Sequence, residues 1–242
     1  MDVSRRIVGV AMSEPISLSA ERPIRTFHPR RGRMSGRHAD AVDAHWARFG
    51  LTIVDGDRRP LDLDHLFGRS APRVLEIGFG MGDATAAMAA ADPDRDFLGI
   101  EVHTPGIGNL LALIGERGLR NVRVARGDAM ELAGRLAPAS LAAVHVFFPD
   151  PWPKARHHKR RLISPANVAV LRELLAPGGV LRCATDWPDY ARAMTRTLDG
   201  DPGLRAMPEP EARTLPPRPR TKFEQRGARA GRPIADLPYE RV

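Results

Sequence analysis

The chain has 242 residues, 43% hydrophobic and 27% charged, with a net charge of +8 and a single cysteine. That length suits one α/β domain of about 200 residues with extra segments, and the lone Cys183 excludes an intrachain disulfide or a cysteine-based zinc cluster, as in a reducing compartment. No apolar run approaches the roughly 20 residues of a transmembrane helix and no helix-length segment pairs an apolar face with a lysine-rich one, so the positive charge points to nucleic acid rather than a membrane surface.

In chain order, Arg5 and Arg6 precede a short apolar run, Ile7 to Met12, which Glu14 and Pro15 cut off before it reaches the length of a secretion signal. From Arg22 to Arg37 there are six arginines and no acid, so residues 1–38 read as a basic, largely flexible arm and residues 39–242 as one domain. Ala39, Val42, Trp46 and Phe49 share a helical face that Gly50 terminates, with Trp46 in the core.

Val74-Leu75-Glu76-Ile77 is a buried-strand signature that runs into Gly78-Phe79-Gly80-Met81-Gly82-Asp83, and a helix from Ala84 to Ala91 follows. Strand, glycine turn and helix in that order bring backbone close to a nucleotide-type cofactor at the helix N-terminus. A dinucleotide fingerprint would space its glycines Gly-x-Gly-x-x-Gly, whereas here the third glycine comes one position early and a carboxylate, Glu76, stands at the strand end. An anion there repels pyrophosphate and attracts an ammonium, which favours S-adenosylmethionine. A second strand, Asp96 to Glu101, ends in a carboxylate about 20 residues beyond the glycines, placed to accept from both ribose hydroxyls. A helix (His103 to Gly118) and a third strand (Val122 to Val124) lead to Asp128, which either accepts from an adenine amino group or caps the next helix.

A fourth strand, Ala142 to Phe148, leads into Phe-Phe-Pro-Asp-Pro-Trp-Pro-Lys-Ala-Arg-His-His-Lys-Arg-Arg, residues 147–161. Prolines on both sides stiffen the backbone around Asp150, so its carboxylate is aimed from beyond a strand's carboxyl end, where open α/β sheets bind ligands. Trp152 adds a flat face, and Lys154, Arg156, His157, His158, Lys159, Arg160 and Arg161 form a phosphate-contacting cluster. Ser164 and Pro165 open a helix, Pro177-Gly178-Gly179 stops it, and Val180 to Ala184 is a fifth strand followed by Asp186. Strands and helices therefore alternate from Arg73 to about Leu198, which predicts a doubly wound parallel sheet. A proline-rich stretch follows, and Thr221 to Gly227 reads as a final strand.

These motifs resemble the bacterial single-subunit tRNA (guanine-N7)-methyltransferases. The resemblance runs from about Arg22 to Leu237 and rests on the arginine arm, Glu76 with its glycines, Ile100-Glu101-Val102-His103 before Pro105-Gly106, residues 147–161, and Thr221-Lys222-Phe223-Glu224-x-Arg-Gly. It implies a Rossmann-like S-adenosylmethionine-dependent fold, with a mostly parallel seven-stranded sheet and an antiparallel last strand. It further implies a cytoplasmic enzyme that methylates a guanine in the tRNA variable loop without metal, as a monomer or weak homodimer. Its cofactor contacts fall on Glu76, Gly78, Gly80, Gly82, Glu101, Asp128 and Asp150. Its substrate contacts fall on Lys154, Asp186 and Thr221, Lys222, Phe223 and Glu224, with Arg156 to Arg161 against RNA. His158 and Arg232 stand where the family has asparagine and histidine. Guanine N7 carries a lone pair and no proton, so Asp150, the expected catalytic residue, is read as aligning guanine and stabilising its developing charge, not as a general base. Another RNA or protein methyltransferase on the same fold, or a non-catalytic RNA-binding module, are the alternatives.

Overall fold

The computed structural model describes residues 25–27, 32–219, 224 and 231–242. Helix α1 (Gly36–Phe49) is capped by the Ser35 hydroxyl, which accepts from His38 N. At Gly50 a Cβ would lie 2.3 Å from the Trp46 indole, so only glycine lets the chain fold back over that ring into a short strand, β1 (Gly50–Thr52). There follow α2 (Leu63–Phe67), β2 (Arg73–Ile77), α3 (Asp83–Ala91), β3 (Asp96–Glu101), α4 (Thr104–Arg117), β4 (Val122–Arg126), α5 (Ala129–Ala133) and β5 (Leu141–Phe147). After a 3-10 turn (Ala155–Arg160) come α6 (Pro165–Leu174), β6 (Leu175–Thr185), α7 (Pro188–Asp199), β7 (Leu204–Ala206), α8 (Glu209–Ala212) and β8 (Ala235–Arg241).

The strands form one sheet in the order β1-β4-β3-β2-β5-β6-β8-β7. β1 to β6 pair in parallel, and β8 runs antiparallel to both β6 and β7. Strands β2 to β8 supply the seven expected with their antiparallel last strand. β1 is an addition at the edge, where Gly50 pairs with Val124. The last strand is Ala235–Arg241; the stretch 221–227, read from sequence as that strand, lies outside the described residues except for Glu224.

Alternate residues along each strand feed opposite faces, as the two-residue period of a pleated strand requires. Leu75, Ile77, Leu98, Ile100, Val144 and Val146 pack with Leu132, Leu171, Leu174, Tyr190 and Met194 from α5, α6 and α7. Val74, Phe97, Ala143 and Phe147 pack on the other face with Phe49, Ala86, Leu110 and Ile114 from α1, α3 and α4. Because β2 lies between β3 and β5, the strand order reverses beside it, and in open α/β sheets a ligand crevice forms outside the carboxyl ends at such a reversal. The carboxyl ends of β2 and β3 carry Glu76 and Glu101, the loops after β2 and β5 carry the glycines and Asp150, and adjacency in the sheet brings them to that crevice.

Candidate functional site

The glycine loop is the first wall of the crevice. Gly78, Gly80 and Gly82 take φ of 75°, 61° and 76°, left-handed conformations that glycine alone adopts without strain. A Cβ at Gly78 would meet no atom within 4 Å, whereas one on Gly106, in the first turn of α4, would lie 1.8 Å from Gly80 O. The loop is thus open on one side and packed against α4 on the other. Glu101 ties the two together: its Oε2 accepts from Gly80 N at 2.9 Å, and its Oε1 accepts from Val102 N at 2.6 Å and His103 N at 3.0 Å. Each carboxylate oxygen has two lone pairs, so Oε1 is filled by its two donors and one lone pair of Oε2 remains for a ligand hydroxyl.

Glu76, at 3% exposure, is the least solvated acid of the site, and its Oε2 has no hydrogen-bond partner among the described residues. Burial raises its pKa from 4.5 to about 7, and the like charge of Glu101 adds to the rise. His145, its register partner on β5, is pushed down to about 3 by burial and the charge of Arg182, so it offers Glu76 no cation. A buried carboxyl group with one oxygen unpartnered, beside a loop open on one side, suits a ligand that brings a positive charge. Asp128 is the N-cap of α5: its Oδ1 accepts from Met130 N at 2.8 Å, and burial raises its pKa. Both readings left open by the sequence draw on this carboxylate, and the capping contact is the one seen.

Asp150 sits just past β5, between two residues forced to positive φ, Phe148 at 53° and Trp152 at 45°. Backbone and side-chain contacts both restrain this backbone. Phe148 N donates to Ala184 O at 2.7 Å. The Arg218 guanidinium lies 5.3 Å from the rings of both Phe147 and Phe148 while pairing with Glu224 at 2.7 Å and Asp236 at 3.6 Å. Sequence reasoning missed Arg218; its setting, Pro216-Pro217-Arg218-Pro219, was the available signal, since prolines flank it as they flank Asp150. Trp152 is buried, with Nε1 donating to Thr26 O of the amino-terminal arm at 3.3 Å, Arg160 lying 5.0 Å over its ring and His157 meeting it edge-on at 5.9 Å.

The basic run is not uniformly exposed. Lys154, Arg156 and Lys159 are exposed, and His157, His158 and Arg160 are partly so. Arg161, expected with them against RNA, is turned inward: its side chain is 7% exposed and holds Pro151 O and Asp189. The 3-10 turn ends at Arg160, Arg161 is extended (φ −61°, ψ 130°), and its guanidinium lies over Tyr190 where that of Arg160 lies over Trp152. Asp186 is paired with Arg232 at 2.7 Å. Thr221, Lys222 and Phe223 lie outside the described residues. Among the described residues no His, Cys, Asp and Glu group could hold a metal ion, and no helix is long and apolar enough to cross a membrane.

Residues 70–237 match a family described as "Putative methyltransferase". The chain is 51% identical over 229 residues to the tRNA (guanine-N(7)-)-methyltransferase of Halorhodospira halophila, covering 92% of this chain and 96% of the relative. It is 50% identical over 238 residues to the tRNA (guanine-N(7)-)-methyltransferase of Streptomyces coelicolor, covering 95% and 85%. Among solved structures, that of the 16S rRNA methyltransferase KamB shares the fold with a TM-score of 0.53 at 17% identity, over 78% of this chain and 98% of that one.

Proposed function

The chain belongs to the tRNA (guanine-N(7)-)-methyltransferases, and from that premise we propose that it transfers a methyl group from S-adenosylmethionine to N7 of a guanine in the variable loop of tRNA. The observation that carries this reading is the meeting of the glycine loop, Glu76, Glu101 and Asp150 at the reversal of strand order. The residues fit the cofactor. Glu76, buried with an unsatisfied oxygen, suits its ammonium group, the left-handed glycines admit its body, and Glu101 keeps one lone pair on Oε2 for a ribose hydroxyl. When bound, the cofactor supplies an electrophilic methyl group on a sulfonium.

The chain's own part is alignment and charge. Guanine N7 has no proton to remove, so no general base is required, and holding nucleophile, carbon and sulfur in line is worth up to about 7 to 11 kcal/mol. The two oxygens of Asp150 match the N1 and N2 hydrogens of guanine, a pair adenine does not present. Its negative charge also favours the ring that becomes cationic as the methyl arrives. Lys154, Arg156, Lys159 and Arg160, exposed or half-exposed beside this loop, meet the phosphates.

Incubation with unmodified tRNA and methyl-labelled S-adenosylmethionine, followed by nucleoside analysis, tests the reading. Label in 7-methylguanosine is expected; label in protein or in a base amino group would reject it.

A further inference from the structure

We propose that Arg161 is a positioning residue for Asp150 and makes no contact with RNA. This rests on the methyl-transfer reading above and reassigns one member of the basic run. Arg161 Nε donates to Pro151 O at 3.0 Å and its Nη2 donates to Asp189 Oδ2 at 2.6 Å. The guanidinium also lies 4.8 Å over the ring of Tyr190, which is fully buried. A planar guanidinium with donors committed in two directions and one face on an aromatic ring is fixed in orientation, and lysine cannot reproduce it. With 7% of the side chain exposed, little is left for a phosphate.

The peptide that Arg161 holds adjoins a strained residue. Pro151 O belongs to the peptide between Pro151 and Trp152, one residue after Asp150, and Trp152 stands at φ 45°. A left-handed non-glycine residue is strained and persists only where its surroundings prevent relaxation. Arg161 anchors that peptide to Asp189, in the first turn of α7, a helix whose Tyr190, Met194 and Leu198 are all fully buried. Rotation of the peptide would release the strain and swing the Asp150 carboxylate with it. The same hydrogen bond holds the Asp189 pKa below the usual carboxylate range, so the anchor stays ionised at neutral pH.

The test compares Arg161→Ala and Arg161→Lys with Arg156→Ala, an exposed neighbour, in the full-length protein. Titration of tRNA binding against salt and single-turnover methylation at saturating tRNA and S-adenosylmethionine are the two readouts. Each phosphate that the protein ceases to neutralise flattens log K against log salt by about 0.7 to 0.9. For Arg161→Ala the slope should match the parent while the saturated rate falls at least tenfold, and Arg161→Lys should recover only part of that rate. A slope flattened as in Arg156→Ala, or a saturated rate within twofold of the parent, would overturn the assignment. Should Arg161→Ala fail to fold, Asp189→Ala carries the same decision: a lower saturated rate at unchanged slope supports it, and an unchanged rate overturns it. A parent protein that methylates no tRNA would sink the methyl-transfer reading instead, which leaves the salt slopes to decide whether Arg161 touches RNA.

Discussion

Glu76 carries a conflict between stability and binding. Its raised pKa means that the folded protein keeps a proton that the unfolded chain releases above about 4.5, so folding stability falls as pH rises from about 4.5 to about 7 and then levels. At about 1.4 kcal/mol per unit the total is about 3 kcal/mol. Glu76→Gln should remove this dependence and make the protein more stable at pH 8, as urea denaturation at pH 5.5 and pH 8 would measure. The same variant should bind S-adenosylmethionine at least tenfold more weakly at pH 8, because it offers the ammonium no charge. In the parent, calorimetric affinity should increase between pH 5.5 and pH 7, below the range in which the ligand's own amino group titrates, with release of a proton from Glu76. Affinity that is flat across that range would place the ammonium elsewhere. Asp150 poses a different question. Asp150→Asn keeps the shape but loses the charge and one acceptor, so single-turnover rate should fall at least a hundredfold while tRNA affinity and melting temperature hold. A rate near that of the parent would remove Asp150 from its proposed role.

At the scale of elements, the crevice depends on how closely α4 approaches the turn after β2. Gly106 is the contact point, since a Cβ there would collide with Gly80 O at 1.8 Å. Backbone on both sides cannot give as a flexible side chain would, so Gly106→Ala should destabilise the protein by about 1 to 3 kcal/mol. It should also weaken cofactor binding, because displacing Gly80 breaks its hydrogen bond to Glu101. Urea midpoints together with calorimetry check both, and a variant with parental stability would mean that α4 slides without disturbing the loop. Further along the sheet, β8 pairs with β6 and helps to fix the stretch around Pro216. Arg182 chelates Asp236 at 3.0 and 2.8 Å and donates to Pro216 O at 2.9 Å, which holds in place the stretch that carries Arg218 over Phe147 and Phe148.

Over the whole molecule, the net charge of +8 is not spread evenly between internal and external work. Arg123, Arg161, Arg172, Arg182, Arg218 and Arg241 are committed to carbonyls or carboxylates of the protein itself and contribute to packing. Arg156 and Lys159 belong to the exposed remainder beside the site. Replacing both by alanine should flatten the salt dependence of tRNA binding by about 0.7 to 0.9 for each phosphate no longer neutralised, and leave S-adenosylmethionine affinity unchanged. An unaltered slope would move the RNA path away from this turn.

The sequence by itself determined the alternating strands and helices, the glycine turn and the acidic residues at strand ends, because each is a local matter of side-chain period, glycine conformation and capping. Ser164 with Pro165 and Gly118 fall at helix ends as their chemistry requires. It also placed Asp150 between two prolines just beyond a strand, and the structure has it there, past the end of β5. Only the tertiary structure decided which arginines face inward. Arg160 and Arg161 are adjacent and chemically identical, yet the first lies over Trp152 at the surface and the second is buried on Tyr190, because the 3-10 turn ends between them. The same holds for β1, three residues long and too short for a periodic signal, and for Arg218, whose partners Phe148, Glu224 and Asp236 come from separate stretches of chain. Periodicity reports what a residue does to its neighbours in sequence; burial of a charge depends on partners brought from elsewhere, and those are set only when the layers pack.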